Sequence, residues 1–203
     1  FVREASAFGF DAVAPTYGAA NAANPVIRMM RDRTLAAVRR HVPAGARVLD
    51  LGCGPGPDVV VMAAMGYDVT AIDWSPEMVS RTADAIRASH LDHRARVHVL
   101  GIHELDRLPA GAWQAAYANL GPLNCVPDLP AAARAIAARL APRGVCVASV
   151  IGRSCPWEWL IFGARGQWSR ARVRYNEGYV PVPLEGQTVW TQYLSPNECA
   201  RAF

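Results

Sequence analysis

Nine consecutive residues, Val48-Leu-Asp-Leu-Gly-Cys-Gly-Pro-Gly56, restrict the folds open to this chain more than any other stretch. A strand-like apolar run, Arg47 to Leu51, carries Asp50 near its end, and Gly52, Gly54 and Gly56 follow at alternate positions. Such glycines serve a turn whose backbone needs positive φ, and without Cβ they let a ligand lie against the main chain. Strand, glycine turn and helix in succession form the first crevice of a parallel α/β sheet, where nucleotide-like ligands bind. The dinucleotide fingerprint GxGxxG needs a glycine at 57, and this chain has Pro57. An acid just ahead of the loop repels a pyrophosphate and suits an ammonium group. The motif favours an amino-acid nucleoside over a nicotinamide dinucleotide.

The remaining sequence alternates short apolar runs with helical patterns, the mark of βαβ units. The Ala-, Gly- and Asn-rich segment from Phe8 to Asn24 reads as irregular. Asn24 then caps a helix with Pro25 in its first turn, ending near His41 and burying Ile27, Met30, Leu35 and Val38. Strands are expected at Val69–Ile72, Arg96–Leu100, Ala112–Ala118 and Val145–Ile151. Helices are expected around Val59–Met65, from Ser75 onward, and over Asp128–Leu140, the last ending in a turn at Pro142-Arg143-Gly144. Ser195-Pro-Asn-Glu198 is a capping box for a final helix.

The glycine motif and the second strand's Asp73 together resemble the class I S-adenosylmethionine-dependent methyltransferases. The resemblance is to their small-molecule type, similar to the ubiquinone/menaquinone-biosynthesis methyltransferases, and spans roughly residues 46–150. It implies a doubly wound, mostly parallel Rossmann-like methyltransferase sheet with helices on both faces. It also implies S-adenosyl-L-methionine as cofactor and S-adenosyl-L-homocysteine as product. The cofactor loop would be Asp50, Gly52, Cys53, Gly54, Pro55 and Gly56, with Cys53 giving main-chain groups. Asp73 would hold the ribose hydroxyls and Trp74 would pack on the adenine. Relatives often have an acid after the third strand to read the adenine; here Ile102 and His103 stand there, and His103 is the candidate general base for an alcohol acceptor. Asn119 and Leu120, after the fourth strand, would face the methyl group, and Tyr17 would reach the cofactor from a lid. Arg28 or Arg33 could meet the methionine carboxylate.

For the acceptor, the candidates are Asn124 and the aromatic-rich region, above all Trp157 and Trp159. The loop Asn119-Leu-Gly-Pro lacks the aromatic ring of the [DN]PP[YF] nucleobase signature, so amino methylation of bases is not expected. Two rival readings stay open: a non-catalytic S-adenosylmethionine-binding module, and an RNA methyltransferase using the arginines at 165–174. His90, His93 and His98 lack ligand spacing, so no metal is expected. The chain reads as one methyltransferase domain: 1–45 an N-terminal lid and helix, 46–151 the cofactor-binding core, 152–203 a substrate-side insertion and final helix.

Composition fits this reading. With 203 residues, 52% hydrophobic and 19% charged, the chain can bury one core. Five cysteines without a CxxC pair suggest a reducing, cytoplasmic setting. No apolar stretch is long enough to span a membrane, and a net charge of +4, all its cations arginine, is spread along the chain. The expected partner is a small molecule rather than a membrane or a nucleic acid. The resembling fold ends with two more strands, and after Ser195 no sequence remains for them, so the natural protein is expected to continue. A chain ending here would leave an open sheet edge that favours low solubility or a homodimer.

Overall fold

β1 (Arg47–Leu51) lies at the centre because both of its faces are apolar. Val48 points to one core and Leu49 and Leu51 to the other, and all three are fully buried. The computed structural model describes the backbone of residues 2–184 and 186–203 and the side chains of 9–18, 21–184 and 186–203. Around β1 are arranged β2 (Asp68–Asp73), β3 (Ala95–Val99), β4 (Trp113–Ala118) and β5 (Leu140–Ala148) in the order β3-β2-β1-β4-β5, all parallel. The chain moves outward from β1 to β3 and then crosses to β4 on β1's other side. The crevice opens at the carboxyl ends of β1 and β4, the switch point of such a sheet.

Helices cover both faces. On one, α2 (Pro25–His41), α3 (Pro57–Ala64) and α4 (Pro76–Ala88) bury Leu35, Val38, Val59, Met62 and Ile86 against Val48, Val69 and Tyr117. On the other, α5 (Leu129–Arg139) and α8 (Pro196–Ala202) pack Leu129, Ile136 and Cys199 against Leu49, Leu51 and Ile72. Helix starts follow the expected chemistry. Asn24 Oδ1 accepts from Val26 N at 2.9 Å, Ser75 Oγ from Met78 N at 3.1 Å, and Asp128 Oδ1 from Ala131 N at 2.8 Å. Ser195 and Glu198 close the reciprocal box at α8.

Two expectations are corrected. The segment before Asn24 is not irregular: Val2–Ala23 forms a helix, α1. Its Gly9, Pro15 and Gly18 look like breakers, yet Phe10, Val13, Ala14 and Tyr17 follow the i, i+3, i+4, i+7 stripe of a helix. Val13 and Ala14 pack on Met78 of α4, and tertiary burial of this kind outweighs propensity. The turn at Pro142–Gly144 lies inside β5 rather than before it. Leu140 already pairs with Trp113, the register then shifts, and Val145 pairs with Ala115, with Arg143 at φ 64° absorbing the irregularity.

After β5 come α6 (Pro156–Ala164), the single turn α7 (Trp168–Ala171), and an antiparallel hairpin of β6 (Val180–Leu184) and β7 (Gln187–Thr191). Pro181 and Pro183, which have no N–H for a ladder, alternate with Val180, Val182 and Leu184 and face solvent. The hairpin packs on α1, where a Cβ on Gly9 would lie 3.3 Å from the Thr188 carbonyl. The amino-terminal helix and the late hairpin thus close over the same end of the sheet.

The glycine loop is held tightly enough to give a stability test. Gly56 has φ 85°, and a Cβ there would lie 2.7 Å from Thr82 Oγ1. Gly56→Ala should cost about 1–3 kcal/mol, from strain and the clash. Urea unfolding should show a lowered midpoint; an unchanged midpoint would contradict this packing.

Candidate functional site

β1 ends by delivering Asp50 into the crevice, and the chain then turns back through the glycine loop. Gly52 and Cys53 donate their N–H groups to the Ile72 carbonyl at 2.8 and 3.0 Å, which ties the loop to β2. Gly54 N donates to Asp73 Oδ2 at 2.8 Å and Ser75 N to Asp73 Oδ1 at 2.9 Å, so Asp73 braces the loop and the start of α4. A Cβ on Gly54 would meet no atom within 4 Å: the backbone there faces open space, as a loop receiving a ligand requires.

That space is a cavity of about 280 Å³. On the sheet side it is lined by Asp50, Gly52, Cys53, Gly54, Pro55, Asp73, Trp74, Leu100 and Ile102, with Asn119 and Leu120 from the end of β4. Phe10 and Tyr17 of α1 and the inner face of the hairpin close it from outside. Asp11 fixes α1 in place: its carboxylate accepts a hydrogen bond from the Ser75 hydroxyl and one from Glu77 N at 3.3 Å.

Electrostatically the site is dominated by Asp50. It is 2% exposed, and its Oδ2 finds no hydrogen-bond partner among the described residues. Burial, then the nearby Asp58 and Asp73 carboxylates, push its pKa well above the usual carboxylate range, while Arg31 opposes the shift. Asp73 is raised more mildly, by burial, against the backbone N–H groups of Ser75, Gly54 and Trp74 that favour its charge. An unpartnered buried carboxylate costs free energy unless something cationic meets it.

A second network lies beside it. Asp58, at the start of α3, pairs with Arg31 Nη1 at 2.9 Å and accepts from Tyr117 Oη at 2.9 Å and Asn119 Nδ2 at 3.0 Å. The Asn119 Oδ1 in turn accepts from Ser149 Oγ at 2.7 Å and from Leu120 N at 3.0 Å. These bonds hold Leu120 at φ 63°, a conformation a branched side chain rarely adopts. Burial and the Asp58 charge raise the Tyr117 pKa far beyond its usual value, so its hydroxyl stays protonated. Arg31 and Asp58 line the cavity, so a cation and a carboxylate face the same space as Asp50.

Several expected residues are brought together here and others are placed elsewhere. Gly56 stands behind the loop against Thr82, outside the lining. His103 is exposed; its ring covers Gly101 and meets Trp74 edge-on, with centroids 5.0 Å apart, but it does not line the cavity. Asn124 is fully buried and occupied as a clamp. Its Nδ2 donates to Ile151 O at 2.9 Å and Gln192 O at 2.7 Å, and its Oδ1 accepts from Ile151 N at 2.8 Å. Trp157 and Trp159 lie outside the cavity, 69% and 39% exposed, because α6 turns them to the surface, where Trp159 packs edge-on against Trp168 and Tyr175. Arg28 and Arg33 are exposed; the arginine at the cavity is Arg31, in phase with Thr34, Leu35 and Val38 on the buried side of α2. Of the late arginines, Arg174 is paired with Glu158 at 2.5 Å and Arg170 lies over the Phe162 ring. Among the described residues no cluster of metal-ligand type occurs, and no helix is long and apolar enough to cross a membrane.

Residues 24–197 match the model of a family described as a methyltransferase domain. A ubiquinone biosynthesis O-methyltransferase of Xanthomonas axonopodis pv. citri is 39% identical over 117 residues, 57% of this chain and 47% of that protein. One of Psychrobacter arcticus is 36% identical over 111 residues, 55% of this chain and 43% of its own. The chain thus spans less than half the length of these relatives. Among solved structures, a methyltransferase of Methanosarcina mazei described as S-adenosylmethionine-dependent superposes with TM-score 0.67 at 20% identity, covering 82% of this chain and 81% of that one. The geranyl diphosphate C-methyltransferase of Streptomyces coelicolor A3(2), solved with S-adenosyl-L-homocysteine, gives TM-score 0.61 at 17% identity over 86% and 60% of the two chains.

Asp50 gives this site a signature in pH. Its folded pKa lies above the unfolded value near 4, so the folded state gains a proton relative to the unfolded one. Stability from this residue is complete below about pH 4 and is lost as pH rises through the raised value. Asp50→Asn is neutral at every pH in this range and has no such proton to lose. Without ligand, its denaturant midpoint should exceed that of the wild type at pH 8 and converge with it at pH 4. A difference that stays constant across this range would contradict the reading.

Proposed function

The chain belongs to the class I S-adenosylmethionine-dependent methyltransferase family, and from that membership we propose that this crevice binds the methyl donor and passes its methyl group to a small-molecule acceptor. The observation that carries the reading is the buried Asp50 carboxylate, its Oδ2 without a hydrogen-bond partner among the described residues, lining one cavity with Arg31 and an open glycine backbone. A carboxylate and a guanidinium at one end of a cavity are the complement of an amino-acid zwitterion.

Residue roles follow from this. Asp50 would meet the donor's ammonium group and Arg31 its carboxylate, with Asp58 holding Arg31 in place. Asp73 accepts from Gly54 N on one oxygen and from Ser75 N on the other, and as an acceptor-only group with about four lone-pair sites it would also accept from the ribose hydroxyls. Trp74, Leu100 and Ile102 offer an apolar slot for the adenine. Tyr17 closes the site from α1.

S-adenosylmethionine, when bound, supplies a methyl group made electrophilic by its sulfonium. The protein's part is alignment and the exclusion of water. Proximity and orientation can contribute roughly 7–11 kcal/mol to such a transfer without an acid–base triad. Asn119 and Leu120, locked by Ser149 and Asp58, present a rigid wall at the end of β4.

Asp73→Ala should weaken S-adenosyl-L-homocysteine binding at least tenfold, about 1.4 kcal/mol, in titration calorimetry. Asp58→Asn should weaken it less, through a loosened Arg31. Unchanged affinity in Asp73→Ala would remove that residue from the site, and tight nicotinamide dinucleotide binding instead would overturn the function.

A further inference from the structure

We propose that the hairpin β6–β7 is the acceptor-recognition element of the cavity, and that it selects an uncharged acceptor with an apolar body. The inference rests on the methyl-transfer reading above and extends it to the substrate's chemistry.

Strand periodicity carries the first step. On β6, Val182 and Leu184 line the cavity while Pro181 and Pro183 face solvent; on β7, Val189 and Thr191 line it while Thr188 is exposed. Four residues of one face of the hairpin, Val182, Leu184, Val189 and Thr191, are therefore given to the cavity. Opposite it stand Val126 and Ile151.

The hairpin is also held as a wall rather than a loose flap. Gln192, just past β7, donates its N–H to Asn124 O at 2.8 Å and its Nε2 to Val126 O at 2.8 Å, while Asn124 returns a bond to Gln192 O. At its tip Leu184 packs with Val13, Ala14 and Met78 of α1 and α4. Side chains so fixed can discriminate by shape.

The polar groups on this half, among the described residues, are neutral. Thr191 lies within 3.4 Å of the Asn124 carbonyl, and burial pushes the Cys125 thiol up to about 11, so it is not ionised near neutral pH. The charged residues lining the cavity, Asp50, Asp58, Asp73 and Arg31, are the ones the donor reading already engages, and the one of them that acts on Cys125 is an acid, Asp73, whose charge also raises that thiol. An ionic acceptor would lose its hydration against these apolar residues without gaining a partner, whereas alkyl groups gain by burial.

The test is calorimetric binding of straight-chain alkanols and alkanoates of equal length, butyl to octyl, to the protein saturated with S-adenosyl-L-homocysteine. Each added methylene of the alkanol should tighten binding roughly threefold to fourfold, and each alkanoate should bind at least tenfold more weakly than its alkanol. Val182→Asp should weaken octanol at least tenfold, with homocysteine-nucleoside affinity retained as proof of folding. Val182→Thr, the same shape with one hydroxyl, should weaken it at least twofold and serves if the aspartate variant does not fold. Equal affinity for alkanols and alkanoates, or octanol binding unmoved by the folded variants, would overturn the proposal. Failure of S-adenosyl-L-homocysteine itself to bind would instead overturn the methyl-transfer reading, and this proposal with it.

Discussion

A buried carboxylate at the tip of the central strand, whose Oδ2 has no hydrogen-bond partner among the described residues, is the constraint around which this molecule is organised. Asp50 sits between two other acids, with Arg31 the nearby cation that favours its charge. Folding places it there because β1 is apolar on both faces and ends in glycines, so the chain must turn at once and cannot cover the acid with its own side chains. The loop's hydrogen bonds run to Ile72 and Asp73, away from Asp50. Native structures seldom leave such a group unsatisfied without a functional, catalytic or solvent-mediated reason.

α1 and the late hairpin meet over this cavity. α1 is latched through Asp11 to the cap of α4, and the hairpin is clamped through Asn124 to the loops after β4 and β5. Neither element belongs to the five-stranded sheet, yet both close the cavity. This division suits a fold that keeps one donor site and varies what faces it. The sheet side carries the charges and the covering side the apolar surface, so one cavity offers two chemistries at once.

Much of this was legible from the residues, because the informative signals were local. Asp50, the alternate glycines and Asp73 lie on strand ends whose period of two and whose turns are fixed by neighbours in sequence. Caps at Asn24, Ser75, Asp128 and Ser195 were equally readable. What escaped depends on long-range packing. The α1 stripe was hidden by Gly9, Pro15 and Gly18. Arg31 could have been preferred to Arg28 and Arg33, since it alone keeps helical phase with Thr34, Leu35 and Val38. The hairpin's Val-Pro-Val-Pro-Leu run alternates as a strand does, but its prolines argue against one. Asn124 was singled out by its place in the sequence, while its occupation by Ile151 and Gln192 is visible only in three dimensions. The tryptophans of α6 drew attention by composition, although composition does not say which way a helix turns.

The account's central claim is that Asp50 must be ionised to hold an ammonium-bearing donor, and one measurement addresses it directly. S-adenosyl-L-homocysteine can be titrated calorimetrically into wild type and Asp50→Asn from about pH 5 to about pH 9, in two buffers of different ionisation enthalpy at each pH. Wild-type binding should tighten as pH rises through the raised Asp50 pKa, with a proton released to the buffer on the acid side of it, while Asp50→Asn should bind more weakly and without that proton. Tight binding by both proteins, with heats that do not depend on the buffer, would contradict it.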